Sequence, residues 1–480
     1  MTLLYALILL PLAGAILAWL IPSNRVRPLV IPFVGLAHLG LVGISIDGRD
    51  QLAGNDWLRL DPLGAIVLLS VSVLFVVCAW YAVDYLRFRH DRDNRILSLG
   101  MLACLSAMSL VCLCQHLGLL WVAVEMTTVS MAPLIYFNHN ARSIEATWKY
   151  LLICSVGIGL ALLGLLFLAY GTFVARQEAT LQLAELISQA SRINPGWLHA
   201  AFIFQLVGYG SKLGLAPLNT WKPDAYGEAP GLVGALLAGG LVNCAFLALL
   251  RIYQVCSASG FEIPFVREAL IVLGLFSMAV AALFMAHQND FKRMLAYSSV
   301  EHVGIMAVGL GLGRGALWAV LFHLVSNGLT KGVLFLTSGN IHRSYGGKTT
   351  EQVQGALKRL PWSGGLFLAG FVAVAGSPPF SLFISEFAIV GNAVIDGRYW
   401  VAAVFLLCLI GIFIGMSMTV IPMIMGKPRS DLPSTTYRDR FGTVAPALTL
   451  LLVVVWFGIW PPEMLIDLFH EGATLLELRP

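Results

Sequence analysis

Charge is what this chain has least of. Lysine, arginine, aspartate and glutamate make up 12% of its 480 residues, about half the ~25% of a soluble domain. With 58% hydrophobic residues and a mean hydropathy of +0.82, the composition excludes an ordinary soluble fold and places the chain in the membrane class. The net charge of +4 is too small to point to nucleic acid. Cysteine is sparse too: the eight at 78, 104, 112, 114, 154, 244, 256 and 408 lie mostly within apolar runs. Cys112-x-Cys114 is too close for a CxxC pair and lacks partner ligands at metal spacing, so these read as small packing residues. No haem, iron–sulfur, nucleotide or P-loop signature occurs. The chain is therefore expected to hold no cofactor of its own, and any redox or ATP chemistry belongs to a partner. The first apolar stretch, Leu3 to Ile21, has neither a charged leader nor a small-residue cleavage site, and reads as a retained helix rather than a signal peptide.

What the chain does have is long apolar runs. At about 20 residues per span plus a short loop, its length allows roughly 14 helices. They are expected near 2–21, 28–46, 62–84, 96–114, 117–137, 147–170, 199–220, 231–254, 264–287, 295–313, 316–340, 364–390, 398–426 and 441–461. The fold class is thus an all-α integral membrane protein. With the N-terminus outside, 19 of the 30 lysines and arginines fall in cytoplasmic loops and 9 on the opposite side; the other two, Lys212 and Lys331, lie inside spans. The positive-inside rule then puts both termini on the periplasmic side of a bacterial inner membrane. In this reading the DFKR run (Asp290, Lys292, Arg293) and Arg87 to Arg95 are solvated loop charges that set topology, and Lys222 and Arg251 are counted with the loops. Two spans carry internal breakers. Pro217 interrupts the seventh, and Gly376-Ser377-Pro378-Pro379 the twelfth. Breaks five spans apart point to two five-helix repeats, the second inverted because five is odd. The expected organisation is residues 1–95 as three N-terminal helices, 96–254 as the first repeat, 264–426 as the second, and 441–480 as a C-terminal helix and tail.

Within this frame a few ionisable residues stand out. Lys212 sits in HAAFIFQLVGYGSKLGLAPLNTW (199–221), five residues before Pro217. A charge at mid-bilayer costs roughly 2.5–3.5 kcal/mol even on a lenient scale, and lysine is the cation whose proton desolvation most readily loosens. A proton carrier is the leading reading. Glu125, in LLWVAVEMTTVSMAPL, is the expected ion partner of Lys212, since each lowers the other's desolvation penalty. A static packing pair is the plainer alternative. His323, Asn327 and Lys331 follow at i, i+4 and i+8 and form one polar stripe on the eleventh span. Glu386 lies beyond the second break, as a terminal proton site or the cap of a half-helix. Glu145 and Lys149 form an i, i+4 pair at the start of the sixth span, either a surface pair or a functional one. A chain of lysine, histidine and glutamate with intervening water can pass a proton where hydrocarbon cannot, and broken helices supply backbone groups to hold that water.

The segments WVAVEMTTVSMAPLIYF, KLGLAPLNTWKPDAYGEAP, DFKRMLAYSSVEHVG and HLVSNGLTKGVLFL resemble the antiporter-like proton-channel subunits shared by respiratory complex I, Mrp-type cation/proton antiporters and membrane-bound hydrogenases. The resemblance covers about residues 60 to 425. EATWKYLLICSVGIGLALLG and AYSSVEHVG look most like hydrogenase-4 component F. The resemblance implies 14 helices with inverted repeats. It also implies a proton-transfer role for Glu125 on the fifth span, Lys212 on the seventh, His323 and Lys331 on the eleventh, and Glu386 on the twelfth. One position departs from it: many relatives carry a lysine or histidine on the eighth span thirteen residues after the Ala-Pro pair, where this chain has Asn243. Asparagine orients water but holds no proton charge, which leaves the link between the half-channels to water or to His323, or pumping impaired. The chain also ends soon after the fourteenth span, without the long lateral helix of some relatives.

Three functions remain open at this level. The first is a proton-conducting membrane subunit coupled to a redox module, with other membrane subunits of the same superfamily and a soluble hydrogenase-like or iron–sulfur arm as partners. Such a subunit is not itself an oxidoreductase. The second is a sodium/proton antiporter subunit, against which stands the small number of intramembrane carboxylates. The third is a scaffold that anchors a hydrogenase or a bicarbonate-uptake partner and moves no ion.

Overall fold

In the computed structural model, residues 2–48, 57–89, 92–175, 179–260, 263–427 and 435–477 are described. Arg49, Arg176, Arg429 and Arg479, which enter the loop-charge count, lie outside them. The described chain is helical throughout. The helices are α1 (Thr2–Leu20), α2 (Arg27–Asp47), α3 (Pro62–Phe88), α4 (Arg95–Leu113), α5 (Leu117–Ile135), α6 (Ala141–Val174), α7 (Leu183–Gln189), α8 (Pro195–Leu213), α9 (Trp221–Glu228), α10 (Gly231–Ser259), α11 (Ile263–Met285), α12 (Phe291–Leu312), α13 (Leu317–Tyr345), α14 (Ala356–Arg359), α15 (Pro361–Val374), α16 (Ser381–Ile395), α17 (Tyr399–Met425), α18 (Phe441–Ile459) and α19 (Glu463–Leu476).

Twelve of these are long and apolar enough to cross a membrane, against fourteen expected. The two expected spans missing from the twelve are the seventh and twelfth, the two that the chain interrupts. α8 stops at Leu213, seven residues short of the expected end at 220, because Gly214 turns into the left-handed region at φ 71°. The twelfth is divided into α15 and α16, each too short to span alone. α7 and α19 were not expected. α7 has only seven residues, and α19 is amphipathic, burying Leu468, Phe469 and Leu476 while carrying Glu463, Asp467 and Glu471.

The helices sort by burial. α10, α12 and α13 are sheathed almost completely by protein, whereas less than half of α1, α2, α6, α11, α17 and α18 is covered. Exposed Phe33, Leu152, Leu283, Leu407 and Leu452 form the outward faces of that outer ring, the surface that lipid would wet. α13 packs against α3, α10, α12, α15, α16 and α18, and is therefore the axis of the molecule.

Burial corrects the loop-charge reading. Arg27, Lys222, Arg251 and Lys292 are each at most 2% exposed. Lys292 opens α12, where Asp290 caps the helix, and its Nζ donates to Ala229 O at 3.0 Å. Arg251, mid-helix in α10, meets Asp61 at the start of α3 in a two-pronged pair of 2.5 and 2.7 Å. All eight cysteines are buried and unbridged.

Candidate functional site

The first break shapes the surroundings of Lys212. Because α8 ends one residue later, the lysine lies in the final helical turn, where the carbonyl ends favour a cation. It is 3% exposed. Its Nζ donates to Val124 O at 2.6 Å and to Thr128 Oγ1, and Thr128 Oγ1 in turn donates to Glu125 Oε2 at 3.1 Å. The direct ion pair expected between Glu125 and Lys212 is thus replaced by a hydroxyl bridge. Glu125 is half-buried, turned toward the edge of the molecule, and takes a second hydrogen bond from Ser155 Oγ at 2.8 Å.

A second cluster surrounds α13. Lys331 Nζ donates to Ser298 Oγ at 2.6 Å, and Ser298 Oγ donates to Glu301 Oε2 at 3.3 Å. One residue further along α12, His302 Nδ1 shares a 3.0 Å hydrogen bond with His323 Nε2 and stands 4.0 Å from Glu386 Oε1. His323 Nδ1 lies 2.9 Å from Ser385 Oγ, whose own proton goes to Leu382 O at 2.8 Å. His323 Nδ1 must then donate to Ser385, and His323 Nε2 accepts from His302. Asn327, between His323 and Lys331 on the same face, has neither amide atom bonded to protein; Glu386 Oε1 and His302 Nε2 are likewise unpartnered. Buried groups of this kind are where water is retained. His302, His323 and Glu386 also bring three ligand-capable atoms within 4.8 Å of one another. They are the group best placed to hold a metal ion among the described residues, although two of the three donors already engage each other.

Other expected residues lie apart. Asn243 donates to Ser70 Oγ at 3.2 Å and joins neither cluster. Lys149 pairs with Glu145 (2.6 Å) and Asp224 (2.7 Å), and Asp224 with Arg293 (2.6 Å), in an exposed network over the end of α9. Glu145 and Lys149 therefore sit on the surface, outside the buried chain.

The two breaks share a construction. Gly214 and Gly376 both adopt positive φ, 71° and 64°, and each stands three residues before a proline, Pro217 or Pro379, that follows a cis peptide bond. Neither glycine has room for a Cβ: at Gly214 it would strike the stem of Lys222, and at Gly376 the carboxylate of Glu386. An ionisable side chain thus lies directly over each broken backbone. Trp221 Nε1 to Ser211 O (2.8 Å) and Ala216 N to Ser277 Oγ (3.0 Å) tie the first break to α8 and α11.

Sequence reasoning did not single out Lys222, Glu301, His302 or the Asp61–Arg251 pair. Lys222 looked like a loop charge because it follows Pro217 and precedes Pro223. Glu301 and His302 are adjacent in AYSSVEHVG, a polar-looking piece whose helix is nevertheless buried almost throughout. Adjacent ionisable residues between apolar turns were the available signal.

The family model for the transmembrane part of NADH:quinone oxidoreductase and Mrp antiporters matches residues 114–414. The chain belongs to this family. The matched stretch holds Glu125, Lys212, Glu301, His302, His323, Lys331 and Glu386, and leaves α1 to α4, α18 and α19 outside. Among curated relatives, a hydrogenase-4 component F homolog of Methylacidiphilum infernorum is 31% identical, with 98% of this chain and 99% of the relative aligned. A Na(+)/H(+) antiporter subunit of Alkalihalophilus pseudofirmus is 26% identical over 77% of this chain and 76% of its own length. Among solved structures, a chain of the Mrp complex from Dietzia sp. superposes with a TM-score of 0.87 at 21% identity, covering 99% of this chain and 98% of that one. A chain of an archaeal membrane-bound sulfane sulfur reductase gives 0.86 at 22%, with the same coverage. At these identities the structural matches speak to fold. The protein is therefore an antiporter-like membrane subunit of the family that includes complex I, Mrp and hydrogenase-4 relatives.

Proposed function

We propose that this chain is a proton-translocating subunit of a redox-driven membrane complex of the hydrogenase-4 or formate-hydrogenlyase kind. The observation that carries the reading is the buried series of ionisable groups joined by hydroxyls and imidazoles: Glu125–Thr128–Lys212 on one side, and Lys331–Ser298–Glu301 with His302–His323–Glu386 on the other. A packing role asks for closed pairs. These groups are held instead in single file with exchangeable protons between them, and several face positions that water would fill.

In this reading the twelve continuous spans and the two broken ones make fourteen, arranged as two inverted five-helix repeats centred on the breaks. Both termini face the periplasm of a bacterial inner membrane, and the surface network around Lys149, Asp224 and Arg293 is cytoplasmic. Half-buried Glu125 faces a neighbouring membrane subunit, whose charge state biases the Lys212 cluster. A soluble hydrogenase-like or iron–sulfur arm supplies the driving reaction. The chain itself needs no cofactor: Lys212, Lys331, His323 and Glu386 take up and release protons in turn.

The test is translocation by everted membrane vesicles holding the whole complex, with arm redox turnover assayed alongside. Lys212→Ala and Lys331→Ala are each expected to lower proton uptake by about 10²-fold or more, the scale of losing a positioned proton-transfer group, with redox turnover still measurable. Uptake at the wild-type rate in both variants sinks the proposal. Uptake that requires added sodium moves the chain to sodium/proton exchange.

A further inference from the structure

We infer that Lys222 is the proton carrier joining the two buried clusters, doing from α9 what a basic residue at position 243 on α10 would otherwise do. The inference rests on the proton-translocation reading above and extends it to a residue that reading does not use.

Position comes first. Lys222 is fully buried, and its Nζ donates to Ser299 Oγ at 3.1 Å. The preceding residue on α12, Ser298, takes the Lys331 ammonium at 2.6 Å. Two adjacent serines in the middle of α12 thus receive the two lysines. On the other flank, Cys154 on α6 lies within electrostatic reach of both Lys212 and Lys222. Lys222 stands between the two clusters, whereas Asn243 is turned to Ser70 on α3.

Stability does not explain a lysine here. No carboxylate pairs with it among the described residues; its other neighbours are Ser299 O at 3.5 Å and the Tyr226 ring at 5.9 Å. It lies in the first turn of α9, where a cation opposes the helix dipole. Lys331 lies within electrostatic reach as well, so a charge on either lysine opposes a charge on the other. A pair of this kind favours one proton shared between two sites, which is the property a relay needs.

The build of the breaks agrees. Lys222 covers Gly214 as Glu386 covers Gly376, each glycine three residues before its break proline. Glu386 is in the second cluster's proton path, and Lys222 occupies the equivalent place over the first break. In the transfer step the Lys222 ammonium gives up one proton at Ser299 and the Lys331 amine gains one at Ser298, each hydroxyl accepting one proton as it releases another. Lys222 is left neutral until a proton from the Lys212 side restores it. No electrons move and no co-reactant is consumed.

The test uses the whole complex in everted vesicles, with assembly followed on native gels and arm turnover followed separately. Lys222→Met keeps the length of the stem and removes the amine. Translocation is expected to fall at least about tenfold with assembly intact, and the double variant Lys222→Met with Asn243→Lys is expected to regain it. A loss that the second lysine does not reverse marks Lys222 as packing and overturns the inference, as does translocation at the wild-type rate in Lys222→Met. Should Lys222→Met fail to assemble, Ser299→Ala removes only the hydroxyl that receives the ammonium. The same tenfold loss is expected, and an unchanged rate overturns the inference. Lys212→Ala and Lys331→Ala, run in parallel, separate this failure from failure of the underlying reading: if both pump normally, the translocation reading itself is wrong.

Discussion

At the scale of single residues, what distinguishes this chain is how each buried charge is satisfied. Arg251 and Asp61 form a closed, two-pronged pair, and nothing else in their surroundings asks for proton exchange. Lys212 and Lys331, by contrast, bond only to hydroxyls and a carbonyl. The first kind of site is structural. Arg251→Met should therefore cost about 3–5 kcal/mol, because it strands the Asp61 carboxylate in the interior; thermal unfolding in detergent would show it, and Asp61→Asn in the same chain should recover part. The pH dependence follows from Asp61. Burial pushes its pKa up, but the Arg251 charge, the Arg251 hydrogen bonds and the Gly64 N–H pull it further down, so it ends below the usual carboxylate range. A depressed carboxylate contributes stability that is fully present above its unfolded value of about 3.9 and is lost as pH falls through the folded value. In Arg251→Met the burial penalty on Asp61 is no longer offset by the Arg251 charge, so its carboxyl keeps a proton to higher pH, and the stability gap between wild type and variant should be widest at about pH 8 and narrow as the solution is made mildly acidic. A gap that stays constant between about pH 8 and 5 would contradict the pairing.

At the scale of elements, the two breaks decide where the buried ionisable side chains go. A continuous helix through 199–220 would have carried Lys212 along a regular face; ending the helix at Leu213 leaves the lysine at its C-terminal carbonyls and swings Lys222 back over the end. Gly376 does the same for Glu386. Gly376→Ala forces a side chain into left-handed backbone, at about 1–3 kcal/mol, and into the carboxylate itself. It should lower the thermal midpoint and displace Glu386 from His302, with proton translocation falling in parallel. Gly391→Ala, on the same α16 but with open space around it, is the control expected to change neither. Equal effects from the two would show that the break has no special demand for glycine. The π-turn Leu236–Leu241 in α10 lies beside the close approach of Gly239 to Gly328 on α13, the kind of local irregularity that marks functional helices.

At the scale of the molecule, charge and apolar surface are segregated. The outer ring of helices presents bare hydrocarbon, and Glu301, His302, His323 and Lys331 lie in the sheathed centre on α12 and α13. The exposed ion network of Glu145, Lys149, Asp224 and Arg293 is concentrated at one end. If that end is cytoplasmic, a cysteine replacing exposed Glu145 should react with a membrane-impermeant maleimide in everted vesicles and stay unlabelled in right-side-out ones. The opposite pattern would invert the assignment. Because Glu145 is 63% exposed and its pair with Lys149 lies in water, the substitution should change stability by less than about 1 kcal/mol.

Much of this was legible in the amino-acid sequence for a simple reason: in hydrocarbon a charge is expensive, so Lys212, Lys331, His323 and Glu386 announce themselves against apolar neighbours, and glycine with proline announces the breaks. Composition and local pattern were enough for the membrane class, the positions of the long helices and most of the ionisable series. Partnership was settled only by packing. A one-dimensional reading assigns Lys222, Arg251 and Lys292 to water because they stand near prolines, loops or helix ends, yet chain segments after a break fold back inward and bury what they carry. It pairs Glu125 with Lys212 because opposite charges attract, yet Thr128 stands between them, accepting from Lys212 and donating to Glu125. It passes over Glu301 and His302 because serines precede them, although those serines are what receive Lys331 and Lys222. Burial and hydrogen bonding are properties of the space between helices, and only the packed chain defines that space.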